Sequence, residues 1–295
     1  AIMVAILALV DSGDEVLLPD PAWVTYEPWI RKAGGIPVRF SMGKGNDFRP
    51  DWNEVADKLS PLTKLIILTT PHNPVGTVLQ MSELKDLGEV LLNQPIVVLC
   101  DESNSTIRFD GIDHVSPVQI PSLKEHSIII SSFSKNFAMA GWRTGFVWAP
   151  PKFIDRILAA HQHAVSCVPA FVQAAALAML RSSEKDTLIA NMMQNYHHNR
   201  GVLVDGLNKI SGVQCHYPEG AYNAFPDFSF FGYTSAKLAH LLLTQAGVSS
   251  VPGDAFGSQG DGHLRMAFTL NPDRLEEAID RIGLLCTSLG ERQNN

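Results

Sequence analysis

Ser131-Ser132-Phe133-Ser134-Lys135-Asn136-Phe137-Ala138-Met139-Ala140-Gly141-Trp142-Arg143 follows directly on Ile128-Ile129-Ile130, an apolar run of the kind that forms a fully buried strand. The run ends in two serines, and a lysine then stands among apolar and small residues. Desolvation disfavours an ammonium, so a lysine in this setting can serve as an amine nucleophile and form a Schiff base with an aldehyde. Arg143, eight positions after Lys135, offers a fork suited to phosphate. Hydroxyls, a lysine and an arginine in one segment suit a phosphorylated aldehyde. The plainer alternative is a surface loop with a solvated lysine.

Working outward, short β-rich runs alternate with helical ones over the first two-thirds of the chain, which predicts an α/β domain with a mainly parallel sheet. Strands are expected over 15–18, 36–40, 65–69, 96–100, 127–131 and 145–148. Helices are expected over 1–10, 24–33, 52–58 and 82–93, with a turn near 115–120 and Ser82 as an N-cap. The chain reads as helical over 152–181 and 183–210. After residue 211 come shorter strands over 213–217, 224–229, 248–251 and 263–268, with helices over 235–246 and 273–289. That change divides the chain into a large domain, 1–182, and a smaller α+β domain, 183–295.

In open parallel sheets ligands bind beyond the carboxyl ends of the strands. Asn73 follows one expected strand, Asp101 follows Pro95-Ile96-Val97-Val98-Leu99-Cys100, and Ser132 to Lys135 follow a third. Polar groups at three strand ends can converge on one ligand. A carboxylate at the end of a central strand is costly unless paired, so Asp101 is expected to have a partner, the plain alternative being a helix-capping or salt-bridged structural role.

The stretch Ser-Phe-Ser-Lys-Asn-Phe-Ala-Met-Ala-Gly-Trp-Arg, 132–143 with its flanks, resembles the cofactor-lysine signature of the class I/II aminotransferases, the fold-type-I pyridoxal phosphate enzymes related to aspartate aminotransferase. Further matches in the family's order are Asp11-Ser12-Gly13-Asp14-Glu15-Val16, Pro21-Ala22-Trp23-Val24-Thr25-Tyr26, Pro71-His72-Asn73-Pro74-Val75-Gly76, Asp101-Glu102, Pro218-Glu219-Gly220-Ala221 and Leu264-Arg265-Met266. The resemblance implies a seven-stranded-type sheet and pyridoxal 5'-phosphate bound through a Lys135 Schiff base. It also implies transfer of an amino group between an L-amino acid and a 2-oxo acid, and a homodimer. It further implies an N-terminal segment ahead of this chain, so that a fragment is expected.

By the same resemblance Lys135 and Asp101 are the catalytic pair, Asp101 bonding the cofactor's ring nitrogen so that the ring can accept electrons. Trp23 would cover the ring, Asn73 would bond its oxygen, and Ser132, Ser134 and Arg143 would hold the phosphate. Arg265, with Asn73, would receive the substrate, its fork gripping the α-carboxylate. The bland readings are a core Trp23, an ordinary Asn73-Pro74 turn and an interdomain ion pair at Arg265.

Two positions depart from the pattern. Asn104, expected among the cofactor-binding residues, stands where the family has a tyrosine that donates to the ring oxygen, a bond a shorter amide can also donate, and Tyr222-Asn223 stands where Phe-Tyr is common. A lost phenol would stabilise the ring phenolate less and shift activity against pH. A β-lyase, decarboxylase or cyclase on the same scaffold, a cofactor-binding regulatory domain without turnover, and an inactive fragment stay open as readings.

The bulk composition fits an ordered globular protein. Of 295 residues 45% are hydrophobic and 18% charged, and the net charge of −7 disfavours a general nucleic-acid role. No apolar run reaches the length of a membrane span. Cys100, Cys167, Cys215 and Cys286 form no CxxC pair, which favours reduced thiols in a cytoplasmic protein over a zinc or disulfide framework. The histidines, including His161, His163, His197 and His198, show no metal-ligand spacing, and Gly253-Asp254-Ala255-Phe256-Gly257 lacks the strand–glycine–helix setting of a dinucleotide fingerprint.

Overall fold

The computed structural model describes residues 1–43 and 48–293. Six apolar runs form one sheet: β1 Glu15–Asp20, β2 Ile36–Ser41, β3 Thr63–Thr69, β4 Val97–Asp101, β5 Ser127–Ser132 and β6 Gly145–Trp148. Their order is β2-β1-β3-β4-β5-β6, with β1 to β5 parallel and β6 antiparallel to β5. Each expected strand is present, but the sheet has six strands among the described residues, not seven. The chain holds six runs of the required kind in this region, and β6 forms one edge.

Alternation along the strands splits the core in two. Val16, Leu18, Leu65, Ile67, Val97, Leu99, Ile128 and Ile130 face one side, where Ile6, Ile30 and Ile157 meet them. These come from α1 Ile2–Leu9, α2 Tyr26–Lys32 and, after four further helices, the helix Pro151–Val165. Leu17, Ile66, Leu68, Val98 and Ile129 face the other side. They pack on Val55, Leu84, Leu87 and Leu123 from α3 Trp52–Lys58, α4 Met81–Val90 and α5 Pro121–Lys124. α6 Phe133–Asn136 follows β5, and the helix Pro151–Val165 is therefore α7. The helix over 82–93 starts earlier than expected: Gln80, not Ser82, is its N-cap, and Glu83 reaches back to accept from the Gln80 N–H at 2.7 Å. The apolar spacing there was legible; the reciprocal cap was not.

Beyond the sheet, α8 Ala170–Arg181 is separated from α7 by a break at Ser166, which sits at φ 64°. α9 Lys185–Asn208, α10 Ser235–Leu241 and α11 Pro272–Gln293 then enclose a second core with Leu203, Leu207, Phe228, Leu264, Phe268, Ile282 and Leu289. The sheet against them is smaller than expected: β7 Asn223–Ala224, β8 Val251–Pro252 and β9 Leu264–Ala267, in the order β7-β9-β8. Residues 213–217 make one bridge, Gln214 to Asp227, and no strand. α10 ends early in a π turn over Leu242–Ala246. Ile107 and Phe109, from the segment after β4, join this second core and tie the two bodies together.

Candidate active site

Strand parity decides which side chains meet at the carboxyl rim. Asp101 lies two residues beyond Leu99 and so faces the α1–α2 side; Thr69 stands in the same relation to Ile67, and Ser132 to Ile130. Register sets Thr69 beside Asp101 and Asp101 beside Ile130. Tyr26 opens α2 over this rim. Its hydroxyl donates to Asp101 Oδ2 at 2.8 Å and lies 2.8 Å from Thr69 Oγ1. The other oxygen, Oδ1, accepts from the Ser103 N–H at 3.0 Å and from the Ser103 hydroxyl. Burial pushes the Asp101 pKa up; the bonds from Ser103 and Tyr26 pull against it, and the charge of Glu102 adds to the rise. Among the described residues its carboxylate makes no ion pair.

Lys135 sits on α6, a single turn placed by local chemistry. Ser132 caps it, accepting from the Ser134 N–H at 3.0 Å. Asn136, 3% exposed, anchors it: Oδ1 accepts from Thr106 N–H and Oγ1 at 3.1 and 2.9 Å, and Nδ2 donates to Ser105 and Ser131 Oγ at 3.2 and 3.3 Å. Lys135 Nζ lies 4.6 Å from the centre of the Tyr222 ring, a cation–π contact. The following loop takes left-handed backbone at Ala138 and Arg143, φ 54° and 55°. Such conformations cost a non-glycine residue about 1 kcal/mol each and gather at functional sites.

Trp23, Asn73, Asp101, Asn104, Ser132, Ser134, Lys135, Arg143 and Arg265 all border one cavity of about 750 Å³, together with Tyr26, Ser103 and Tyr222. Trp23 stands edge-on to Tyr26, ring centres 5.5 Å apart. Arg265, on β9, donates to Asn73 Oδ1 at 3.1 Å, which links the smaller body to the rim; burial lowers its pKa and Tyr222 opposes that. Arg143 donates to Ala140 O at 3.0 Å. Asn104 Nδ2 donates to Pro71 O at 3.4 Å, and its buried Oδ1 has no partner. A larger groove of about 1090 Å³ lies between α9 and α11, but none of these groups borders it.

Sequence reading gave no site role to Tyr26, Thr69, Ser103 or Asn136, and named Tyr222 only as a departure from the family pattern. The Asp-x-Ser spacing of Asp101 and Ser103 is a signal for a local side-chain turn and could have been read. The Tyr26 bond depends on where α2 lands on the sheet. No group of His, Cys, Asp and Glu that could hold a metal occurs among the described residues, and no helix there is long and apolar enough to cross a membrane.

A family model described as aminotransferase class I and II matches residues 1–282. A putative aminotransferase of Bacillus subtilis, YugH, is 37% identical over 282 residues, 96% of this chain and 72% of that protein. An aspartate aminotransferase of Pyrococcus horikoshii is 35% identical over 275 residues, 93% of this chain and 70% of that one. The crystal structure of an aromatic aminotransferase from Pyrococcus horikoshii superposes with a TM-score of 0.94 at 32% identity, covering 99% of this chain and 78% of the other.

Proposed function

The chain belongs to the class I and II aminotransferases and moves an amino group between an amino acid and a 2-oxo acid, and on that premise we propose that it works with pyridoxal 5'-phosphate held at Lys135. The observation that carries this reading is the convergence on one cavity of Lys135 from α6, Asp101 from the end of β4 and Arg265 from β9. The residues fit the group. Asp101 is a buried carboxylate with hydroxyl and amide partners but no cation among the described residues, and a protonated ring nitrogen is a charge that would match it. When bound, the cofactor supplies a carbonyl for amines and a ring that accepts electrons.

The roles follow from chemistry and place. Lys135 Nζ would hold the cofactor through its aldehyde, and the free amine is the group placed to take the proton from substrate Cα. Asp101 would hold the proton at the ring nitrogen, and Tyr26 and Ser103 fix its two oxygens for that role. Trp23 covers the ring and excludes water. Ser132, Ser134 and Arg143 hold the phosphate. Asn73 and Arg265 receive the substrate, Arg265 gripping the α-carboxylate so that the Cα–H is directed at Lys135.

The chain divides near residue 183, where α9 begins, into a cofactor domain and a smaller closing domain. A second copy covers apolar side chains left exposed on β6, α7 and α8, among them Phe146, Leu158 and Phe171, which are 52%, 52% and 71% exposed. The four free cysteines fit a reducing, cytoplasmic setting.

The test is an absorbance titration of the purified chain with pyridoxal phosphate, followed by a panel of L-amino acids. A Lys135-dependent band that an amino acid bleaches supports the reading. A band unchanged in Lys135→Ala sinks the role of Lys135, and a band that yields ammonia and a keto acid in place of an aminated cofactor points to elimination.

A further inference from the structure

Gly253-Asp254-Ala255-Phe256-Gly257 and the residues after it have no part in the chemistry above, yet they form a strap bonded to the rim of the large sheet. Asp20, the last residue of β1, is 5% exposed. Its Oδ2 accepts from Ser258 N–H at 3.1 Å and from Ser258 Oγ at 2.9 Å, and its Oδ1 accepts from Gln259 N–H at 3.1 Å. Arg39 Nη1 stands 3.8 Å from the same Oδ1. Gly257 makes the approach possible: at φ +142°, a Cβ there would lie 2.0 Å from Asp20 Oδ1.

One residue back, Phe256 O accepts from Ala22 N–H at 2.9 Å and from Arg39 Nη1 at 3.0 Å. Ala22 is the chain neighbour of Trp23. The Phe256 ring, 1% exposed, lies against the Arg265 guanidinium, whose carbon is 5.1 Å from the ring centre. Arg265 is thus located by two contacts, the Asn73 amide at one nitrogen and the Phe256 face. The second of these hangs from the clamp at Asp20.

We infer that Asp20 is a positioning residue: it clamps the 256–259 strap to the end of β1 and so sets the spacing between Trp23 and the carboxylate-gripping fork of Arg265. This rests on the reading of Arg265 given above. A planar fork binds a carboxylate well only in one orientation, and small misplacement of a binding group is costly. A buried carboxylate that meets three N–H or O–H donors from two adjacent residues is satisfied only in one register of the strap, which makes it a specifying contact.

The experiment compares Asp20→Ala, Asp20→Asn, Ser258→Ala and Arg265→Lys in the cofactor-loaded chain. Calorimetric Kd is measured for two unreactive carboxylates, maleate and 3-phenylpropanoate, beside KM and kcat for an active amino acid and the affinity for pyridoxal phosphate. Asp20→Ala is expected to raise KM, and the Kd of whichever probe binds, about tenfold, with cofactor affinity changed less than about twofold. Asp20→Asn, which keeps an acceptor oxygen, recovers part of the loss, and Ser258→Ala shows a smaller change of the same sign. Unchanged carboxylate affinity in Asp20→Ala, or in Ser258→Ala if the first does not fold, overturns the clamp provided Arg265→Lys does weaken binding. If Arg265→Lys also leaves it unchanged, the reading of Arg265 fails and the clamp falls with it.

Discussion

Asp101 shows at the scale of one residue how function opposes stability. A carboxyl whose folded pKa lies above its unfolded value contributes stability that is full below the unfolded pKa and is lost as pH rises through the folded one. Burial raises the pKa of Asp101, so its charged form weakens the folded chain at neutral pH. Asp101→Asn in the cofactor-free protein is therefore expected to raise Tm at pH 7 by a few degrees, about 2–4 °C per kcal/mol in a chain of this size. The gain should shrink towards pH 4, while turnover of the loaded enzyme falls about 100-fold or more. A melting point at pH 7 at or below wild type would show that the carboxylate is better accommodated than its burial implies. His72 is a second buried ionisable group, its pKa pulled down to about 3 by burial alone and both ring nitrogens without partners. Its neighbours Pro71 and Asn73 were legible as a turn; the burial of the imidazole was not, because burial depends on how the folded chain packs around the turn.

The elements were legible where one period dominates. β3, β4 and β5 are continuous apolar runs because helices cover both their faces, and such runs are hard to mistake in an alternating chain. β7 and β8, two residues each, were overestimated because apolar and aromatic residues here serve the helices α9, α10 and α11 more than a sheet. α6 is too short to carry any periodic signal and is made by its cap and by Asn136. Asn136→Ala leaves Thr106, half-buried, and Ser131, buried, short of partners. It is expected to cost about 2–3 kcal/mol of stability and to slow cofactor loading by letting the Lys135 turn fray, checked by urea unfolding and stopped-flow absorbance. Full retention of the loading rate alongside the stability loss would mean that the turn is held by β5 alone.

At the scale of the whole molecule, the apolar side chains left on β6, α7 and α8 predict association. Phe171→Glu with Leu177→Lys is expected to shift sedimentation from dimer to monomer at micromolar protein, with the far-ultraviolet circular dichroism unchanged. A dimer that persists in the double variant would place the interface elsewhere. The two bodies within one chain are joined more firmly: Arg200 of α9, its side chain 5% exposed, bonds both oxygens of Asp110 at 2.8 and 2.9 Å and lies 4.4 Å from the centre of the Phe109 ring. That joint and the Asp20 clamp span sequence separations of 90 and 238 residues.

The sequence by itself determined the alternation of strands and helices, the three strand ends that carry Asn73, Asp101 and Lys135, and the arginine on a distant strand. Backbone period and the cost of burying polar groups act within short windows, so residues a few positions apart are enough to read them. Only the tertiary structure decided that Tyr26 secures Asp101, that Asn104 donates to Pro71, that Tyr222 underlies Lys135, and that a strap near residue 257 is clamped to residue 20. Those contacts join segments whose spacing along the chain carries no signal. They are selected by how helices and strands pack once formed, because a hydrogen bond or ring contact is made only when two rigid elements bring its atoms within reach.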